Sequence, residues 1–220
     1  MEMAANSDCS EQFKNKGPAR IFERAHQIQE QSRSIAALAN CFYQEHAMYK
    51  GSTAERWGDK TPLNSFRLPR IEAVFPDARY VHLIRDGADV VKSYLKAGLQ
   101  PDLNTAAERW RSAVTAVQQF QHSHPTKVLE VRYETLVRSP EQTSRTIHDF
   151  LGLTFEPEKL QAADTETISD LKKYDHHQNV FEPVTDKHIG KGRRALTSAE
   201  REKLGPMMND LLVDLGYDPL

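Results

Sequence analysis

At 220 residues with 39% hydrophobic side chains, the chain has room for one globular domain and its core. Its 29 basic and 31 acidic side chains nearly cancel, which excludes a global field drawing it to nucleic acid or an anionic membrane; any basic site is local. With only Cys9 and Cys41, no Asn-x-Ser/Thr sequon, no signal-peptide core and no apolar run near the roughly 20 residues of a spanning helix, the default is a soluble, reducing, cytoplasmic setting.

Residues 1–17 are polar and without a periodic apolar face, so a disordered leader is expected there and folded structure over 18–220. From Pro18 to Tyr49, Ile21, Phe22, Ala25, Ile28, Ile35, Leu38, Ala39 and Phe42 recur at helical spacing, giving one long or two consecutive helices that stop near Gly51. The segment RWGDKTP at 56–62 reads as a short strand ending in a polar turn. The apolar set Leu63, Phe66, Leu68, Ile71, Val74 and Phe75 then predicts helix, interrupted or restarted at Pro69.

A strand follows over 79–85, apolar on both faces, as expected where helices cover both sides of a sheet. The chain turns at Gly87 into a helix that ends at Gly98. Thr105 and Glu108 in capping-box spacing open a helix to about Gln121, and 127–133 alternates like another strand. Ser139 and Gln142 give a second capping-box signal, with Pro140 at the first helical position and Gly152 as the stop. Residues 165–194 are loop-rich, and a last helix starts near Thr197 with Glu200 in capping position and runs through Pro206. Strands separated by helices predict an α/β fold: a parallel sheet with helices on both faces.

The stretch 80–94, YVHLIRDGADVVKSY, concentrates the chemistry. Arg85 ends an apolar strand, Gly87 turns the chain, and Ser93 sits eight residues beyond the arginine on the following helix. Helix amides and a planar guanidinium both aim at the place where such a strand ends, which suits a phosphate ester.

Four blocks in order, RWGDKTP at 56–62, FPDARYVHLIRDGADVVKS at 75–93, VLEVRYETLVRSPE at 128–141 and IGKGRR at 189–194, together resemble the sulfotransferases that use 3'-phosphoadenosine 5'-phosphosulfate (PAPS). The likeness is nearest to the bacterial and tyrosylprotein branch and implies a three-layer fold like that of phosphate-loop NTPases. By that resemblance Arg85 and Ser93 hold the 3'-phosphate of the donor, Tyr133 lies beside its adenosine, and Lys191, Gly192 and Arg193 form a basic loop that closes over the nucleotide. Lys60 matches the lysine near the transferring sulfuryl group, and no metal is implied. Gly192 stands where many relatives carry Trp. The acceptor would be a hydroxyl or amine on a small molecule or peptide.

Nothing before RWGDKTP fits the family's PKSGTT-like phosphate loop; YKGST at 49–53 follows a helical pattern. A fragment or shortened gene product is therefore expected, and the alternative to an enzyme is an inactive homologue that binds nucleotide weakly or serves as an interaction module. Bland readings stand beside the sharp ones: Arg85 paired with Asp86 or Asp89, Ser93 an ordinary helix serine, Lys60 solvated, Tyr133 in the core. His82, inside an apolar strand, reads as a satisfied core residue, and Trp57 and Trp110 as packing. His176 or His177 is a candidate for chemistry on the acceptor side.

Overall fold

Two strands pair in parallel to make the sheet found among the described residues. The computed structural model describes residues 19–29, 32, 34–49, 51–52, 56–161 and 185–220. Strand β1 (Tyr80–Ile84) and strand β2 (Val128–Arg132) run in register from Tyr80 opposite Val128 to Ile84 opposite Arg132. Parallel neighbours need a crossover. It is supplied by helices α4 (Gly87–Lys96) and α5 (Leu103–Ser123).

The residues fall into two compact units, Met1–Asp77 and Ala78–Leu220. In the first, α1 over 19–27 and α2 (Ile35–Tyr49) are consecutive helices, deciding between the two readings of that region. A 3-10 turn (Asn64–Phe66) leads into α3 (Leu68–Val74), which Pro69 starts rather than breaks, because a proline in the first turn forfeits no internal hydrogen bond. The strand expected over RWGDKTP is not formed: residues 56–60 are irregular. The reason lies in Trp57, whose ring stacks on Tyr43 of α2 with centroids 4.0 Å apart and whose indole donates to Asn40 at 2.8 Å. Aromatic stacking holds the segment along a helix, so it gains no ladder partner.

In the second unit, α4 and α5 pack with α10 (Ser198–Asp214) around Ile84, Ala88, Val91, Ala107, Trp110, Val114, Leu204, Met208 and Leu212. This apolar cluster supports the end of β1. Gly87 is needed there for space: a Cβ would lie 2.5 Å from the end of Met208 and 2.8 Å from the Trp110 ring. Helix α6 (Tyr133–Arg138) follows β2 directly, and α7 (Pro140–Leu151) packs back on that strand and ends at Gly152 in the left-handed region. Two short helices, α8 (Pro157–Gln161) and α9 (Lys191–Arg194), complete the set. One face of β1 departs from expectation. Leu83 is 51% exposed and Val81 39%, because the central cluster meets the strand on its other face, through Ile84.

The capping signals resolve individually. Thr197 and Glu200 make the full reciprocal box at the start of α10. Helix α5 is capped by Asp102, whose side chain accepts from the Thr105 amide at 3.0 Å, so Thr105 lies inside the first turn. Ser139 precedes α7 without a side-chain capping bond, and its carbonyl accepts from the Thr143 hydroxyl at 2.8 Å. Among the described residues no helix is long and apolar enough to cross a membrane. The expected leader over 1–17, His176 and His177 lie outside the described residues.

Candidate functional site

Arg85 leaves the end of β1 in a short turn that places its guanidinium between α4, α6 and the loop before α9. One nitrogen, Nη2, donates to Asp89 at 3.1 Å and to the carbonyl of His188 at 2.8 Å. The planar group lies over the Tyr133 ring, 4.4 Å from its centroid. Its Nε is buried without a hydrogen-bond partner. A buried guanidinium N–H left unmatched costs free energy, and a ligand oxygen is what would recover it.

The loop at 189–193 is held to the first turn of α4 by two carboxylates one helical turn apart. Asp89 accepts from the backbone amides of Gly190 at 2.8 Å, Gly192 at 2.7 Å and Arg193 at 3.2 Å. Asp86 caps α4 through the Ala88 amide and receives the Arg193 guanidinium at 2.7 and 3.2 Å. That guanidinium also donates to the carbonyls of Asp218 at 2.7 Å and Pro219 at 3.0 Å. Its donors are thus largely spent on holding the loop to the chain's last residues. Behind this, buried Glu134 accepts from the Asp86 amide at 3.1 Å and from the Tyr217 hydroxyl at 2.9 Å. Burial, then the bond to Glu134, pushes the Tyr217 phenol well above its usual range.

Gly192 has no room for a side chain: a Cβ would come within 2.6 Å of the Asp89 Cα and 2.8 Å of the Ala88 carbonyl. Both neighbours are backbone of α4, so neither can give way.

Four of the residues read from sequence, Arg85, Tyr133, Gly192 and Arg193, are therefore linked through one network. Ser93 is exposed on α4, one turn beyond Asp89, and Lys191 is exposed at the start of α9. Lys60 is exposed in the irregular stretch of the first unit, where its neighbour Asp59 accepts from Asn64 at 2.7 Å and Thr61 at 3.3 Å. Sequence reading named Asp86 and Asp89 only as possible ion-pair partners of Arg85; it missed their hold on the loop, and it missed Glu134 and Tyr217 altogether. The paired acids three residues apart at a helix start were the available signal. Among the described residues no cluster of three or more His, Cys, Asp or Glu could hold a metal ion.

A model of the Sulfotransferase family matches residues 3–157. The chain belongs to the sulfotransferase family. It is 26% identical over 193 residues to protein-tyrosine sulfotransferase A of Caenorhabditis elegans, covering 81% of this chain and 49% of that one. Over 108 residues it is 32% identical to the omega-hydroxy-beta-dihydromenaquinone-9 sulfotransferase of Mycobacterium bovis, covering 43% of this chain and 28% of the relative. Among solved structures it resembles the sulfotransferase domain of the Synechococcus PCC 7002 olefin synthase, with a TM-score of 0.64, 20% identity, and coverage of 92% of this chain and 76% of that one. The sulfotransferase domain of the Curacin biosynthetic pathway superposes with a TM-score of 0.61, 21% identity, and coverage of 92% and 79%. The α/β class expected from the strand and helix order, and the sulfotransferase fold that the resemblance implies, are thereby shown. The chain spans about half the length of the protein-tyrosine sulfotransferases it matches.

Proposed function

We propose that this family member transfers a sulfuryl group from PAPS to a hydroxyl or amine acceptor, with the nucleotide end of the donor seated at Arg85. The observation that supports this reading is the Arg85 guanidinium itself: fixed at the end of a parallel strand, stacked on Tyr133, and left with a buried Nε that lacks a partner. A planar cation in that state suits a phosphate oxygen. In this reading Arg85 and Ser93 take the 3'-phosphate, Tyr133 flanks the adenosine, and the Lys191, Gly192 and Arg193 loop covers the nucleotide. The exposed Lys191 supplies the free charge of that loop. The Arg193 guanidinium anchors it, since Asp86 and two carbonyls already hold its donors.

Transfer forms a bond between the acceptor oxygen and sulfur as the bond from sulfur to the donor's phosphate oxygen breaks. The electron pair leaves on the 5'-phosphate and the acceptor proton passes to a base. Lys60 is assigned to the leaving-group charge on resemblance alone. The relatives named as acting on protein tyrosine and on a dihydromenaquinone suggest a hydroxyl acceptor for this chain as well.

Calorimetric titration with 3'-phosphoadenosine 5'-phosphate tests the site. Arg85→Ala should weaken binding roughly a hundredfold, while affinity for adenosine 5'-phosphate, which lacks the 3'-phosphate, stays the same. No binding to folded wild-type protein would sink the site. Binding that depends on Arg85, without transfer from radiolabelled donor, would leave a nucleotide-binding homologue in place of an enzyme.

A further inference from the structure

We infer that Asp89 is a positioning residue of the nucleotide site, holding the 190–193 loop and the Arg85 guanidinium as one preformed unit. The inference rests on the reading of Arg85 as the phosphate ligand. The Asp89 side chain is fully enclosed, and both oxygens are engaged: Oδ1 by the amides of Gly192 and Arg193, Oδ2 by the amide of Gly190 and by Arg85 Nη2. Four donors converge on an acceptor-only group with about four lone-pair sites, so its capacity is filled.

Three amides at the start of α9, from its cap Gly190 and from Gly192 and Arg193 in its first turn, converge on a single anion as in a nest, an arrangement that usually receives a ligand's phosphate or carboxylate. Here the protein's own carboxylate fills it. Two glycines make the approach possible: Gly190 adopts φ +70°, and Gly192 lies so close to α4 that any side chain would strike the backbone. The nest is therefore spent on assembling the site, and phosphate recognition falls to what Asp89 leaves free on Arg85. By taking Nη2, with the His188 carbonyl, Asp89 fixes how the guanidinium is turned while Nε stays unmatched. A loop already docked before the nucleotide arrives spares the ordering cost of closing it.

Asp89→Asn keeps the volume and one acceptor but sets an NH2 donor against amide or guanidinium donors. In the nucleotide-free protein, hydrogen exchange at the amides of Gly190, Gly192 and Arg193 should quicken by about tenfold or more. The dissociation constant of 3'-phosphoadenosine 5'-phosphate should rise about tenfold, and the donor KM with it, with kcat changed less. A purely structural part would lower the fraction of competent protein and leave the dissociation constant of that fraction unchanged. Should Asp89→Asn fold poorly, Gly192→Ala tests the same unit with Asp89 intact: its Cβ pushes the loop off α4, and both readouts should shift in the same direction.

Unchanged loop protection in Asp89→Asn, with nucleotide binding intact in the wild type, overturns the inference alone. Tighter nucleotide binding by Asp89→Asn also overturns it, since the carboxylate would then be a competitor of the phosphate. A wild-type protein with protected loop amides and no nucleotide binding overturns the site reading first, and the inference falls with it.

Discussion

Asp86 and Arg193 meet fork to fork, with Nε 2.7 Å from Oδ2 and Nη2 3.2 Å from Oδ1, and the same guanidinium reaches the carbonyls of Asp218 and Pro219. One side chain thus ties the N-cap of α4 to the basic loop and to the chain's last residues. A lysine keeps the charge but not the planar fork. Arg193→Lys should destabilise by about 2 kcal/mol and Arg193→Ala by about 3 kcal/mol, because each leaves a mostly enclosed carboxylate and two carbonyls short of donors. Urea denaturation at neutral pH measures both, and coincident midpoints for wild type and the Lys variant would refute the role.

Tyr217→Phe removes one donor from the buried Glu134 carboxylate while keeping the ring that Arg132 covers at 4.5 Å. The expected cost is about 1–3 kcal/mol, that of a buried acceptor left unmatched. Tyr217→Leu should cost more, since it also discards the ring contact. Equal losses for the two variants would show that the ring contact contributes nothing, and a Phe variant as stable as wild type would show the same of the hydroxyl.

Gly87→Ala should cost about 1–3 kcal/mol by overpacking. The Met208 end can swing aside, but the Trp110 ring is held by its donation to the Arg85 carbonyl at 3.3 Å. Thermal unfolding would reveal it; a variant as stable as wild type would mean that the indole moves freely.

His82 sets an acid limit. Burial lowers its pKa to about 4, and its Nδ1 is enclosed without a hydrogen-bond partner, 3.9 Å from Glu130. It is therefore a core histidine that is not satisfied, contrary to the sequence reading. The imidazole is neutral when folded, whereas the unfolded chain takes up its proton near pH 6.5. The unfolded state binds more protons throughout that interval, so stability is full above about pH 6.5 and falls as pH drops toward 4, by up to about 3 kcal/mol. His82→Gln should flatten this part of a stability profile measured by denaturation; a wild-type profile flat from neutrality to pH 4 would contradict it.

Capping offers an internal control. Thr197→Ala breaks a reciprocal box and should cost about 1 kcal/mol, whereas Ser139→Ala, with no capping bond to lose, should cost a few tenths at most. Comparing the two denaturation midpoints checks the assignment.

Much was legible in the chain before any folding. The parallel strands, the helices between them, the stop at Gly152 and the box at Thr197 are written in local periodicity and turn chemistry, which depend on neighbours a few residues away. One misreading arose where a group further along the chain intervened, Trp57 giving up a strand for stacking on Tyr43; another was local, since Asp102, three residues before Thr105, is the cap of α5.

The site divides along the same line. Local sequence determined that an arginine ends an apolar strand at 85 and that a helix starts two residues later, because strand alternation and helix capping are short-range. Asp89, four residues on, was already a possible partner in the sequence; only the tertiary structure decided that the arginine also meets the His188 carbonyl, 103 residues away, with Tyr133 beneath it. It also decided that Gly192 must be a glycine, since the backbone it touches belongs to another element. Contacts across such separations are set by how α4, β2 and the loop before α9 pack together, and no local pattern encodes that packing.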